Sequence, residues 1–207
     1  DVLGTKETIS DMTRDDLIDF YQKYVRPENM VISVVGNVDE NRVLSMLENY
    51  FGEMRKGRFS PPQVQPESPP SQIRKAEVEQ KDKAQTHIIL GFLAPTLKDP
   101  DQYPFEVLNA ILSGQGGRLF LELRDKRSLA YTVMSFFTPG LEPGFFGVYI
   151  GCAPEKQEEA IQGIKEQLAL VLENGVTDEE LKRAQNYLVG NFEIGLQQNS
   201  AQAAKIA

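Results

Sequence analysis

Five of the chain's 12 prolines fall within one short stretch, Pro61, Pro62, Pro66, Pro69 and Pro70, interleaved with Gln and Ser and almost free of apolar periodicity. Proline fixes φ and removes a backbone donor, so neither a helix interior nor a central strand runs through such a segment. Residues 52–75 therefore break the pattern of the chain, and 58–75 reads as an extended tether between structured regions at 1–57 and 76–207. At 207 residues and 41% hydrophobic content, the chain can bury one large core or two small ones.

Before the tether, Thr13 and Asp16 have the spacing of a capping box, and Leu17, Tyr21 and Tyr24 recur on one helical face until Arg26-Pro27. A helix is predicted over 13–25. The β-branched run Met30 to Val35, bounded by Asn29 and Gly36, predicts a buried strand, and Asp39 then caps a helix ended by Gly52. After the tether, residues 76–80 and 86–93 alternate as strands do. Residues 103–112 and about 118–127 read as helices separated by Gly114-Gln115-Gly116-Gly117, and 130–137 with 145–152 read as a hairpin. Pro154 opens a long amphipathic helix closed by Asn174-Gly175, Thr177 with Glu180 starts another through Leu188, and 199–207 reads as a last one. Strands thus come in antiparallel-prone groups and helices in pairs, which predicts an α+β architecture, a mostly antiparallel sheet with helices packed on one face. The start at Asp1 and the finish inside a helix read as an internal segment of a longer protein.

Composition narrows the function. Lys plus Arg number 22 against 30 for Asp plus Glu, and a net charge of −8 lacks the basic footprint of a nucleic-acid binder. No apolar run approaches the roughly 18 residues of a membrane span. One His (His87) and one Cys (Cys152) cannot assemble a His/Cys-rich zinc site, so no metal site is expected on the chain itself. Cys152 follows an apolar strand pattern and reads as a buried small hydrophobe, and His87 reads as a satisfied structural histidine.

Three groups carry candidate chemistry. Ser113 to Arg118 precedes a helix N-terminus, where free N–H groups attract anions, but it lacks the phosphate-loop pattern and no strand directly precedes it, so a tight helix-to-helix turn that needs Gly is the simpler reading. The acid pairs Glu158-Glu159 and Glu179-Glu180 lie in first helical turns, where acids favour the helix dipole. Arg124 lies near a helix end and Tyr131 starts the next strand, so both polar tips reach the same junction. An Arg fork can hold a peptide carbonyl or carboxylate, and a Tyr hydroxyl can donate to an oxyanion.

The stretch Ser113 to Val133, with Arg118-Leu119-Phe120, Glu122, Arg124 and Leu129-Ala130-Tyr131, resembles the glycine turn and RLF-x-E-x-R-x-x-x-x-L-A-Y pattern of the M16 (insulinase, pitrilysin and mitochondrial processing peptidase-like) zinc metallopeptidases. Met12 to Leu17, Tyr24 to Val31, Val34 to Asp39, Tyr50 to Gly52, Gln85 to Phe92 and Asn174 to Leu181 are similar to further blocks of that family in the same order. The catalytic motif of the family, HxxEH, needs two His and is absent. The resemblance is therefore to the inactive, C-terminal domain, with the LuxS/MPP-like metallohydrolase fold. It implies that residues 1–57 are the closing helix-strand-helix of a preceding M16 domain and 76–207 a second domain truncated at its C-terminus. It implies that Arg124 and Tyr131 contact substrate and oxyanion beside a zinc held by a sister HxxEH domain, in the same polypeptide or a companion subunit, with peptide as substrate. Gly114, Gly116 and Gly117 match a turn that binds substrate in one processing-peptidase subunit, although here it is short. The alternative is a non-enzymatic scaffold or peptide-binding subunit of the same fold. Bacterial cytoplasm and periplasm both fit. The segment at 30–35 is expected to complete a sheet, in the same chain or swapped in a homodimer.

Overall fold

In the computed structural model, which describes residues 3–54, 56–57, 68–79 and 83–207, the helix starts read at Thr13, Asp39 and Thr177 are formed, while the one read at Pro154 is a 3-10 turn leading into a helix from Gln157. A short helix α1 (Lys6–Ser10), not anticipated from the sequence, is capped by Thr5. Thr13 and Asp16 close a reciprocal box at the start of α2 (Arg14–Tyr24), the Thr13 N–H donating to Asp16 Oδ2 at 2.8 Å and the Asp16 N–H to Thr13 Oγ1 at 3.3 Å. Asp39 Oδ1 accepts from Arg42 N at 2.8 Å and opens α3 (Glu40–Phe51), which stops at Gly52. Each cap satisfies a donor that the first helical turn leaves free.

Residues 30–35 correct an expectation. They are extended but pair with no strand among the described residues, and Val31, Ile32 and Val34 are exposed. A β-branched sequence favours extended backbone, yet a strand exists only where a neighbouring strand takes its N–H and C=O groups. Likewise, residues 76–79 form no strand, and Gln80 lies outside the described residues. The expected tether lies partly outside them too, at 58–67, while 68–75 is exposed and irregular.

The described chain divides into two units, one gathering the residues up to 63 with 193–207, the other comprising 64–192. In the first, α1, α2, α3 and the final helix α7 (Asn199–Ile206) bury no residue.

The second unit is built on a three-stranded antiparallel sheet, β1 (Thr86–Ala94), β2 (Ala130–Thr138) and β3 (Gly144–Cys152), in the order β1-β3-β2. The hairpin predicted from the Pro139 to Gly144 turn is therefore present, and β1 pairs along its whole length with β3. Alternation along β3 puts Phe146, Val148, Ile150 and Cys152 in the core. Against them pack α4 (Gln102–Leu112), α5 (Gln157–Asn174) and the segment 118–127, so the helices cover one face, as expected. The buried Ser135 hydroxyl of β2 donates to Asn109 Oδ1 of α4 at 2.7 Å, which satisfies the one polar group that strand sends inward. Cys152 is buried, and burial raises its thiol above the ordinary value, with the nearby Glu155 charge acting the same way. On the opposite face Tyr149 and His87 share a 2.7 Å hydrogen bond through the Tyr hydroxyl and Nδ1, so the single histidine is satisfied.

Two features differ in kind from the sequence reading. The helix expected over 118–127 becomes a π-helix at Phe120–Lys126. The register of β2 also slips between Ala130, opposite Cys152, and Thr132, opposite Gly151, which leaves Tyr131 as the extra residue of a β-bulge.

Candidate functional site

The π-helix and the bulge together make the most distinctive arrangement in the 64–192 unit. A π-helix widens the backbone turn and is frequent at functional sites, and a bulge aims one side chain away from the sheet's alternation. Their product is the meeting of Arg124 and Tyr131, the Arg124 guanidinium carbon lying 5.2 Å from the centre of the Tyr131 ring. It also lies 4.6 Å from the centre of the Phe120 ring, one turn earlier on the π-helix. Tyr131 is 75% exposed, so its hydroxyl is open to a ligand. The backbone beneath is fixed: Arg124 C=O accepts from Ser128 N at 3.0 Å, Leu123 C=O accepts from Leu129 N at 2.8 Å, and Ser128 takes the left-handed φ of 50°. Lys156 Nζ donates to Ser128 C=O at 2.9 Å and ties this turn down.

The glycine segment lies elsewhere. Gly114, Gly116 and Gly117 line a groove of about 460 Å³ with Asn109, Phe137 and Tyr187, and neither Arg124 nor Tyr131 is among its lining residues. Gly114 sits at φ +80°, and a Cβ on Gly117 would lie 2.1 Å from Ser113 C=O, so both satisfy the needs of a tight turn. Gly116 has no such requirement.

Beside the π-helix, Arg118 and Glu180 form a two-pronged ion pair across 62 residues, Nε to Oε1 at 2.8 Å and Nη2 to Oε2 at 2.6 Å. Glu180 also accepts from Thr177 N at 2.9 Å as the box that starts α6 (Asp178–Gly195), so the sequence-predicted cap holds and carries a tertiary pair that local spacing does not disclose. The Arg118 hydrogen bonds hold the Glu180 carboxyl well below its usual 4.5, at about 2, against the opposing effect of burial. Because the folded value lies below the unfolded one, the pair supports folding above about pH 4.5, and the contribution fades as pH falls from there towards 2. The contribution is on the order of 3 kcal/mol. Glu180→Gln is expected to lower stability near neutrality and to flatten the acid limb of the unfolding midpoint plotted against pH. A variant that loses stability equally at all pH values would contradict the assignment.

Among the described residues no three His, Cys, Asp or Glu side chains are grouped to hold a metal ion. With a single histidine engaged by Tyr149, the donor set of this chain does not fit a catalytic zinc. No described helix is long and apolar enough to cross a membrane.

Residues 11–188 match the sequence profile of the peptidase M16 inactive domain. An uncharacterized zinc protease of Streptomyces coelicolor is 34% identical over 207 residues, covering 97% of this chain and 45% of that protein. The solved peptidase M16 inactive domain of Pseudomonas fluorescens superposes with a TM-score of 0.78 at 29% identity, over 90% of this chain and 45% of that one. A protease of Helicobacter pylori shares the fold, with a TM-score of 0.85 at 23% identity over 97% of this chain and 49% of that one. The chain thus spans about half the length of the relatives it matches. The chain belongs to the peptidase M16 family and matches that family's inactive domain over residues 11–188.

Proposed function

We propose that this chain is the substrate-contacting, non-catalytic part of an M16-type zinc metalloendopeptidase, supplying Arg124 and Tyr131 to an active site whose zinc is held by a separate HxxEH domain. The observation that carries this reading is the Arg124–Tyr131 contact itself, made where a π-helix runs into a β-bulge. In the proposed role the Arg124 fork holds a carbonyl of the peptide backbone, and the Tyr131 hydroxyl donates to the oxyanion that develops on the scissile carbonyl. Donors fixed before the reaction stabilise that charge without reorganising. Gly114, Gly116 and Gly117 would contact peptide only at the separate groove, and two of them have a sufficient reason in the turn.

Residues 1–57 fit the closing part of a preceding M16 domain. Supporting this, their helices bury no residue, and Ser33 Oγ is buried with no hydrogen-bond partner among the described residues.

The intact parent protein, or its complex with a companion subunit, is expected to carry HxxEH, to bind zinc at that motif and to cleave unstructured peptides. Chelation should abolish cleavage, and zinc should restore it. A parent and companion without HxxEH, binding no zinc and cleaving nothing, would leave the non-enzymatic scaffold as the function.

A further inference from the structure

The cations around Arg124 are held in one way and Arg124 in another. Arg118 is paired with Glu180, Lys126 with Glu122 at 2.5 Å and Arg127 with Glu166 at 2.8 Å, each with a carboxylate that offsets its charge and takes at least one donor. Arg124, among the described residues, lies instead over two rings, Phe120 at 4.6 Å and Tyr131 at 5.2 Å. The difference bears on function. A carboxylate would fix the guanidinium but neutralise it and consume the N–H groups that a substrate carbonyl must find. An aromatic face attracts the cation through the ring quadrupole and leaves all five N–H donors unused. Tyr131 cannot do this alone, because it is largely exposed and its own hydroxyl must stay free to meet substrate. Phe120 is half-buried, carries no polar atom and lies on the same π-helix, four residues before Arg124.

We propose that Phe120 is a positioning residue, an aromatic backstop that orients the Arg124 guanidinium towards substrate while leaving its charge and donors free. The proposal rests on the reading of Arg124 as a substrate-contacting group. Phe120 touches no substrate itself. It shortens the search of a long side chain for its productive geometry, an effect that appears in turnover more than in ground-state binding.

The test uses the intact peptidase and a peptide substrate. Phe120→Leu, which keeps an apolar side chain and removes the ring, should lower kcat by about tenfold with KM changed less than about twofold. Phe120→Tyr and Phe120→Trp keep a π face and should stay within about threefold of the parent. In an Arg124→Ala background, Phe120→Leu should cost nothing further, because the group it positions is gone. Phe120→Met repeats the test with a second non-aromatic side chain should the leucine variant fold poorly. Full turnover in Phe120→Leu alongside a damaged Arg124→Ala overturns the positioning role and leaves the Arg124 reading intact. Equal losses in the aromatic and aliphatic variants, or a further loss in the Arg124→Ala background, reduce Phe120 to packing and overturn it too. An unimpaired Arg124→Ala removes the underlying reading and this inference with it.

Discussion

Tyr131→Phe and Arg124→Ala, each introduced into the intact M16 peptidase, are expected to lower kcat for peptide cleavage by about 10²- to 10³-fold, the usual cost of removing one oxyanion-type donor. Zinc content should be unchanged, because the donor set of this chain includes no metal cluster among the described residues. The two substitutions remove different things. Tyr131→Phe deletes only a hydroxyl and keeps the ring against which Arg124 lies, so its loss should fall on kcat with KM nearly constant. In the proposed role Arg124→Ala removes the positive charge itself as well as the oriented donors, so KM should rise as kcat falls. Arg124→Lys should recover little, since an ammonium provides neither the planar, delocalised cation that lies over the two rings nor the paired donors. The double variant should lose less than the product of the singles, because the side chains touch. Steady-state kinetics with parallel zinc determination reads all of this. Variants that cleave within about threefold of the parent would show that neither group serves the transition state.

Much of the fold is written in short-range chemistry and could be read from it. Thr13 with Asp16, Asp39, and Thr177 with Glu180 are caps whose partners lie within three residues, and all three formed. The hairpin followed from its proline and glycine turn, and the burial of Cys152 from the apolar strand it ends. What escaped the sequence depends on partners far along the chain or on a backbone geometry that side-chain pattern does not encode. The residues of the π-helix satisfy an α-helical pattern equally well; what differs is the hydrogen-bond ladder, closed by Ser128 and Leu129 reaching back to Arg124 and Leu123. The bulge at Tyr131 arises from the register against β3, which the sequence of β2 does not specify alone. Residues 30–35 show the converse, where β propensity is plain but no paired strand lies among the described residues. For the candidate site, the pairing of Arg124 with Tyr131 was suggested by their placement at a helix-strand junction. Phe120 was overlooked, although its spacing of four before a cation was a usable signal.

The same π-helix makes the largest stability prediction. Leu123 is fully buried on its inner side, next to the residue that carries the guanidinium, and a Cβ placed on Gly163 of α5 would lie 2.7 Å from Leu123 Cδ2. The helix and the π-helix therefore meet where one side has no side chain and the other fills the space. Leu123→Ala is expected to cost about 2–5 kcal/mol, the range for emptying a core leucine site. Gly163→Ala alone crowds Leu123, an overpacking cost of about 1–3 kcal/mol partly offset by the roughly 1 kcal/mol that alanine gains over glycine within a helix. Once Leu123 is truncated that conflict disappears, the new methyl group enters the vacated volume, and the propensity gain remains. Gly163→Ala should thus change sign, destabilising the parent chain and stabilising the Leu123→Ala variant, with a coupling of about 1–3 kcal/mol. Urea unfolding of the four proteins of the cycle measures it. If the two substitutions simply add, Leu123 does not rest on Gly163, and the π-helix that holds Arg124 is supported by some other contact.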